Sequence, residues 1–204
     1  MPTSVSELFK GANLVLAGQV NWGQQIRDDK PGIYIVSLST LLNDKKNALI
    51  PQAPIDLKIV RKWIDDVPTL KLDGSRPTPE ALRERLSRFW LADEVIIYIG
   101  KAGTSVKKRV GQYYRTPLGA PKPHAGGHWI KTLTVLDKLS VFWSLTSEPE
   151  SKEDALLGHF VQNVSEETQL LLCDPNNPFP FANLEYPKGN SKRHGIKGSV
   201  NRDE

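Results

Sequence analysis

Two strand-like runs constrain this chain more than anything else in it, because they carry mirror-image tripeptides, Gly32-Ile33-Tyr34 and Tyr98-Ile99-Gly100. The first follows the turn signal Pro31-Gly32 and continues through Ile35, Val36, Ser37 and Leu38, a β-branched and aromatic stretch that predicts a strand. The second, Glu94 to Ile99, closes on Gly100, and its nearly unbroken apolar run predicts burial on both faces. A third run alternates Leu139, Val141, Trp143 and Leu145 with Ser140, Ser144 and Thr146. Taken alone, either tripeptide is an ordinary turn with a strand. Together the three runs predict an α/β (α+β) domain, with a small three-stranded, mostly antiparallel sheet flanked by helices.

Helical signals fill the intervals. Leu57, Val60 and Ile64 recur at helical spacing. Thr78 is an N-cap candidate with Pro79 at the first helical position and Glu80 in the first turn, and Leu82, Leu86, Phe89 and Trp90 form the apolar stripe. Leu70 to Gly74 reads as a short strand into a turn. Further helices are expected around Trp129 to Leu133, and from about Ser151 to Val164, where Leu156, Leu157, Phe160 and Val164 share a face. The Pro/Gly-rich stretch 116–127, with His124, is expected to be a loop of functional length. The resulting division is an N-terminal extension over 1–30, a main domain over 31–184 with a helical insertion over 41–93, and a polar tail over 185–204 expected to be disordered.

A chain of 204 residues can bury one good core. Its formal charge of +4 suits a polyanionic partner without demanding one. The single cysteine, Cys173, rules out an intrachain disulfide framework, and no Cys/His spacing suggests a zinc site. The apolar run Ala12 to Ala17 is too short for a membrane span and lacks the pattern of a secretion signal, so a cytoplasmic protein is expected.

The residues suited to chemistry cluster after the second tripeptide. Lys101 and the small-residue turn Ala102 to Ser105 lead into a basic helical stretch with Lys107, Lys108, Arg109 and Tyr113. Val106, Val110 and Tyr113 form one stripe, with Arg109 at its edge, where a guanidinium reaches a cleft while its stem packs. Lys107 and Lys108 are expected to face solvent and touch a nucleic-acid backbone. Further on, Glu153 precedes Ala155, Leu156, Leu157 and Phe160, and Asn183 follows Pro180-Phe181-Ala182.

In this order, the set resembles the GIY-YIG nuclease family. The resemblance implies a divalent-metal-dependent endonuclease that hydrolyses DNA phosphodiester bonds. In it, Tyr34 would be general base or would position the water, Tyr98 would orient the phosphate or water, and Arg109 would stabilise the phosphate. Lys101 would add charge near the nucleophile, Glu153 would hold one Mg²⁺ or Mn²⁺, and Tyr113 and Asn183 would complete the site. Cutting both strands would call for a homodimer or sequential nicking.

Two departures stand beside the resemblance. Tyr98 lies 64 positions after Tyr34, where the family ordinarily keeps its tripeptides close, and Tyr113 stands where many members have histidine. A phenol near pKa 10 is only about 0.1% ionised at pH 7, so a tyrosine base predicts a rate that rises with pH as Lys101, Arg109 and the metal lower that value. Competing candidates are Glu148 and Glu150 for the carboxylate, and Asn163, Asn176 and Asn177 for the amide. His128, beside Gly126-Gly127, is a further substrate-binding candidate. Alternative functions are a catalytically idle nucleic-acid-binding module of the same fold, or a nuclease for RNA or branched DNA.

Overall fold

The computed structural model describes residues 2–120, 127–186 and 189–199. In chain order the elements are α1 (Val5–Gly11), β1 (Gly18–Asn21), β2 (Gly32–Ser37), α2 (Leu57–Asp66), β3 (Lys71–Leu72), α3 (Pro79–Ser87), β4 (Ile96–Ala102), α4 (Val106–Arg115), α5 (Gly127–Lys131), β5 (Ser140–Leu145), α6 (Pro149–Asn163), α7 (Glu166–Leu171), β6 (Glu185–Tyr186), β7 (Asn190–Ser191) and β8 (Ile196–Lys197).

The expected mixed α/β character holds, but the central sheet has four strands, in the order β1-β5-β2-β4, with every pair antiparallel. The additional strand, β1, pairs Gly18 with Trp143 and Asn21 with Ser140. Only Val20 among its four residues is apolar, so it carries no alternation to read, and its edge position exposes half of it. Residues 18–21 of the segment 1–30 are thus part of the sheet.

The two motif strands are direct neighbours despite their separation in sequence. Tyr34 pairs with Gly100, Ile33 with Lys101 and Val36 with Tyr98. β2 is central and buried along its whole length, whereas β4 is an edge strand. Alternation along β2 divides the core in two. Ile33 and Ile35 pack with Leu8, Ile99, Leu156 and Phe160 against α1 and α6. Tyr34 and Val36 pack on the other face with residues of the segment 41–93 and of α4 and α5.

That segment is a packed layer, with Val60, Trp63, Leu82, Leu86 and Phe89 all in the second core. Its local structure follows the sequence closely. Thr78 caps α3 by accepting a hydrogen bond from the Ala81 amide, with Pro79 at the first turn. β3 runs into a turn at Asp73 and Gly74, both at positive φ. Trp63, Trp90, Trp129 and Trp143 are all buried, as their periodicity predicts.

The expectation of a disordered tail does not describe residues 189–199. β8 pairs with β3, and Arg85 ties the segment down by donating to the Asp73 carboxylate and the His194 carbonyl. Lys192 is buried, its ammonium donating to the Pro180 and Phe181 carbonyls at 2.8 and 2.9 Å, with its charge over the Phe89 and Trp129 rings. A polar composition conceals this docking because the buried group is a lysine. Residues 121–126, with His124, and 187–188 and 200–204 lie outside the described residues.

Candidate active site

Cross-strand register sets the centre of the site. On the face opposite α6, Tyr34 and Tyr98 lie diagonally across the β2–β4 ladder, with ring centroids 5.8 Å apart. α4 lays Tyr113 across both, at 5.1 Å from Tyr98 and 6.4 Å from Tyr34. Ser105 caps α4 by accepting from the Lys108 amide, and Val106 and Val110 fix its buried side, so Tyr113 arrives on the same stripe.

The motif glycines make room for this cluster. A Cβ on Gly100 would lie 2.8 Å from Tyr34 Cζ, 2.9 Å from its hydroxyl oxygen and 2.5 Å from Tyr98 Cε1. A Cβ on Gly32 would lie 2.9 Å from Val106 Cγ2 and would drive into the Ser144 carbonyl. Each glycine is thus required for close approach rather than for an unusual backbone angle.

The phenols are electrically unusual. Tyr34 is fully buried, and its hydroxyl has no well-formed hydrogen bond, although the Tyr98 phenol is close enough to influence it. Burial pushes the Tyr34 phenol well above its ordinary range, and the neighbouring Tyr98 and Tyr113 reinforce this while Arg109 only partly opposes it. Burial also holds Tyr113 well above that range, and Tyr98 at about 12. Arg109 lowers the Tyr34 phenol in the expected direction, but desolvation outweighs it. In this setting burial favours the neutral, hydrogen-bond-donating form of the Tyr34 phenol.

Arg109 is half-buried at the edge of the α4 stripe, and its charge acts on all three phenols. Among the described residues it makes no ion pair. A guanidinium whose charge reaches three phenols, and which makes no ion pair among the described residues, is suited to an anion.

Lys101 does not join Arg109 at one point. Its ladder partner is Ile33, which belongs to the α1/α6 core, so the two cations lie on opposite faces of the sheet. There Lys101 Nζ sits 3.2 Å from both Glu153 Oε2 and Glu150 Oε1. The two carboxylates differ in setting, because the Glu153 side chain is 15% exposed and that of Glu150 is 86% exposed. Burial raises the Glu153 carboxyl and Lys101 opposes the rise. Since β4 is the sheet edge, the Glu153 charge still reaches round it to raise the Tyr98 phenol.

Asn183 is buried with both ends of its amide engaged by the main chain: its nitrogen donates to the Ile99 carbonyl at 2.8 Å and its oxygen accepts from the Ile99 amide at 2.9 Å. With the Ala182 amide donating to the Ile97 carbonyl, it closes the outer edge of β4 between Tyr98 and Gly100. His128 is likewise engaged. Its Nδ1 accepts from the Gly119 amide at 3.0 Å and its Nε2 donates to the Ala120 carbonyl at 2.9 Å, and burial lowers its pKa. It staples the chain at Gly119 and Ala120. Lys107 and Lys108 do sit on the outer side of α4, Lys108 exposed and 3.9 Å from Asp29.

No cluster of three or more His, Cys, Asp or Glu side chains that could hold a metal occurs among the described residues. No helix among the described residues is long and apolar enough to cross a membrane. Compared with protein-family models, curated proteins and solved structures, the chain matches none.

Proposed function

We propose that this protein is a divalent-metal-dependent endonuclease that hydrolyses phosphodiester bonds of DNA at a GIY-YIG-like site. The observation that carries the reading is the Tyr34 hydroxyl, fully buried without a well-formed hydrogen bond, beside Tyr98 in the space a glycine leaves, and within the electrostatic reach of an arginine that makes no ion pair among the described residues. A buried polar group left in this state costs about 1–3 kcal/mol, which a packing role alone does not repay.

In this reading, a phosphate of the strand lies against Arg109, whose fork neutralises charge as it grows on the non-bridging oxygens. Tyr34 donates a hydrogen bond to the attacking water or to a phosphate oxygen, and Tyr98, less buried, orients the same group. Tyr113 packs the two rings in place. Glu153, with Glu150 beside it, fits Mg²⁺ or Mn²⁺, which are held by one or two carboxylates with waters and substrate phosphates completing the shell. The bound ion would supply Lewis-acid polarisation of the phosphoryl oxygen and favour deprotonation of water. Lys101 favours the ionised form of Glu153 against the effect of its burial. Asn183 positions Tyr98 through the Ile99 main chain rather than touching substrate.

The substrate class is tested by giving the wild-type protein supercoiled plasmid, a branched duplex and single-stranded RNA in parallel, with Mg²⁺, Mn²⁺ or EDTA. Metal-dependent nicking of plasmid is expected. Cleavage of RNA or of the branch point alone would move the reading to that substrate.

A further inference from the structure

α4 has a second flank that the tyrosine cluster does not use. The helix carries Lys107, Lys108, Arg109 and Arg115 and no acidic residue, and two of these cations stand in its first turn, where the helix dipole opposes them. At about 100° per residue, Arg109, then Lys108 and Arg115, then Lys107 succeed one another round the exposed surface. They form a cationic band that starts beside the phenols and ends at a cavity on the far flank.

That cavity measures ≈ 430 Å³, a size that suits a small ligand, and is bounded by Ile26 and Gly23 on one side and by Lys107, Gly111, Tyr114 and Arg115 of α4 on the other. Its floor is apolar and aromatic: Ile26 is buried, and Tyr114 is half-buried with Trp22 edge-on to its ring at 4.8 Å. Gly111 leaves the wall open, since a Cβ there would meet only the Arg115 guanidinium, at 3.1 Å. None of the lining residues is acidic. Mixed-charge lining distinguishes the cleft by α1, where Glu7, Lys10, Lys45 and His159 meet.

We propose that this cavity binds one nucleotide unit, its phosphate held by Lys107, Lys108 and Arg115 and its base seated on the Tyr114–Ile26 floor. The cationic band running back to Arg109 favours a strand as the source: a chain engaged at the phenols crosses α4 phosphate by phosphate and lodges a flanking nucleotide in the cavity. The proposal rests on the reading of the protein as a nuclease, and it names a subsite that does no chemistry.

The test measures binding in EDTA, apart from cleavage, by anisotropy of a short fluorescein-labelled single-stranded oligonucleotide on the full chain. Gly111→Leu fills the cavity without altering charge, and Lys107→Gln/Arg115→Gln removes two phosphate partners; exposed Lys58→Gln on α2 is the charge control. The expected result is an affinity loss of about tenfold for Gly111→Leu, which fills the cavity and displaces the Arg115 guanidinium, and a salt slope lower by about 0.7 for the double variant, the value for one single-strand phosphate contact. Free deoxynucleoside monophosphate, competed against the oligonucleotide, separates the sources: equal affinity for both, still lost in Gly111→Leu, keeps the pocket and removes the strand. Folded variants that both bind as wild type would overturn the proposal. Nicking without this dependence would overturn the pocket alone, whereas pocket-dependent binding without nicking would leave it standing and remove the nuclease reading.

Discussion

Tyr34 faces Gly100 directly across the β2–β4 ladder, and the glycine's missing side chain is the space the phenol occupies. Gly100→Ala puts a methyl within 3 Å of the Tyr34 ring and hydroxyl and of Tyr98. Overpacking of this kind costs about 1–3 kcal/mol, so thermal unfolding is expected to fall and activity to be lost with the displaced rings. Gly103→Ala, where a Cβ meets nothing within 4 Å, is the matched control and is expected to be neutral in both.

Tyr34→Phe separates function from stability. It removes a buried hydroxyl that lacks a well-formed hydrogen bond, so stability is expected to hold or rise by about 1 kcal/mol, while nicking falls about 100-fold or more with the lost donor. Chemical denaturation and a plasmid assay on the same preparation check both halves. A variant both active and more stable would make the hydroxyl incidental. Because Tyr34 stays neutral far into the alkaline range, the wild-type rate is not expected to rise with pH through its ionisation.

Lys101 sets the ionisation of Glu153. Burial raises that carboxyl and Lys101 brings it back, so Lys101→Met raises it further. The carboxylate then forms only at higher pH, and the acidic limb of the rate profile is expected to move upward. An unmoved limb would show that Glu153 does not govern it.

Glu94 makes stability itself depend on pH. It is buried, its Oε2 accepts from the Thr3 amide at 3.1 Å, and burial pushes its pKa to about 8. Its folded-state pKa lies above its unfolded one, so the unfolded chain sheds this proton first and stability falls as pH rises from about 4.5 to about 8. Glu94→Gln is expected to melt several degrees above wild type at pH 8, at roughly 2–4 °C per kcal/mol for a chain of this size, and to match it near pH 4.

Asn183→Ala strips both Ile99 main-chain bonds from the outer edge of β4. A loss of about 1–3 kcal/mol is expected, with a fall in activity through displaced Tyr98.

The pairing of the two motif strands was legible because each tripeptide sits at a strand end with strong β patterning, and Thr78-Pro79 announced α3 for equally local reasons. Lys101 was legible too, though in the other direction: three residues from Tyr98 along a strand means opposite faces, which the shared motif obscures. Other features depended on tertiary context. β1 has too little apolar character to declare itself, and α1 offered only its Ser4–Glu7 capping box. Neither the engagement of both His128 nitrogens nor the burial of Lys192 leaves a trace in spacing or composition, because each depends on carbonyls and amides that distant residues bring near.

The central claim is tested most directly by plasmid nicking with the wild type and Glu153→Gln, each in Mg²⁺ and in EDTA, after melting curves show both folded. The account predicts nicking by wild type in Mg²⁺ alone and a loss of about 100-fold or more in Glu153→Gln. Folded wild type that binds DNA without nicking it, or a Glu153→Gln variant that nicks as fast, would contradict it.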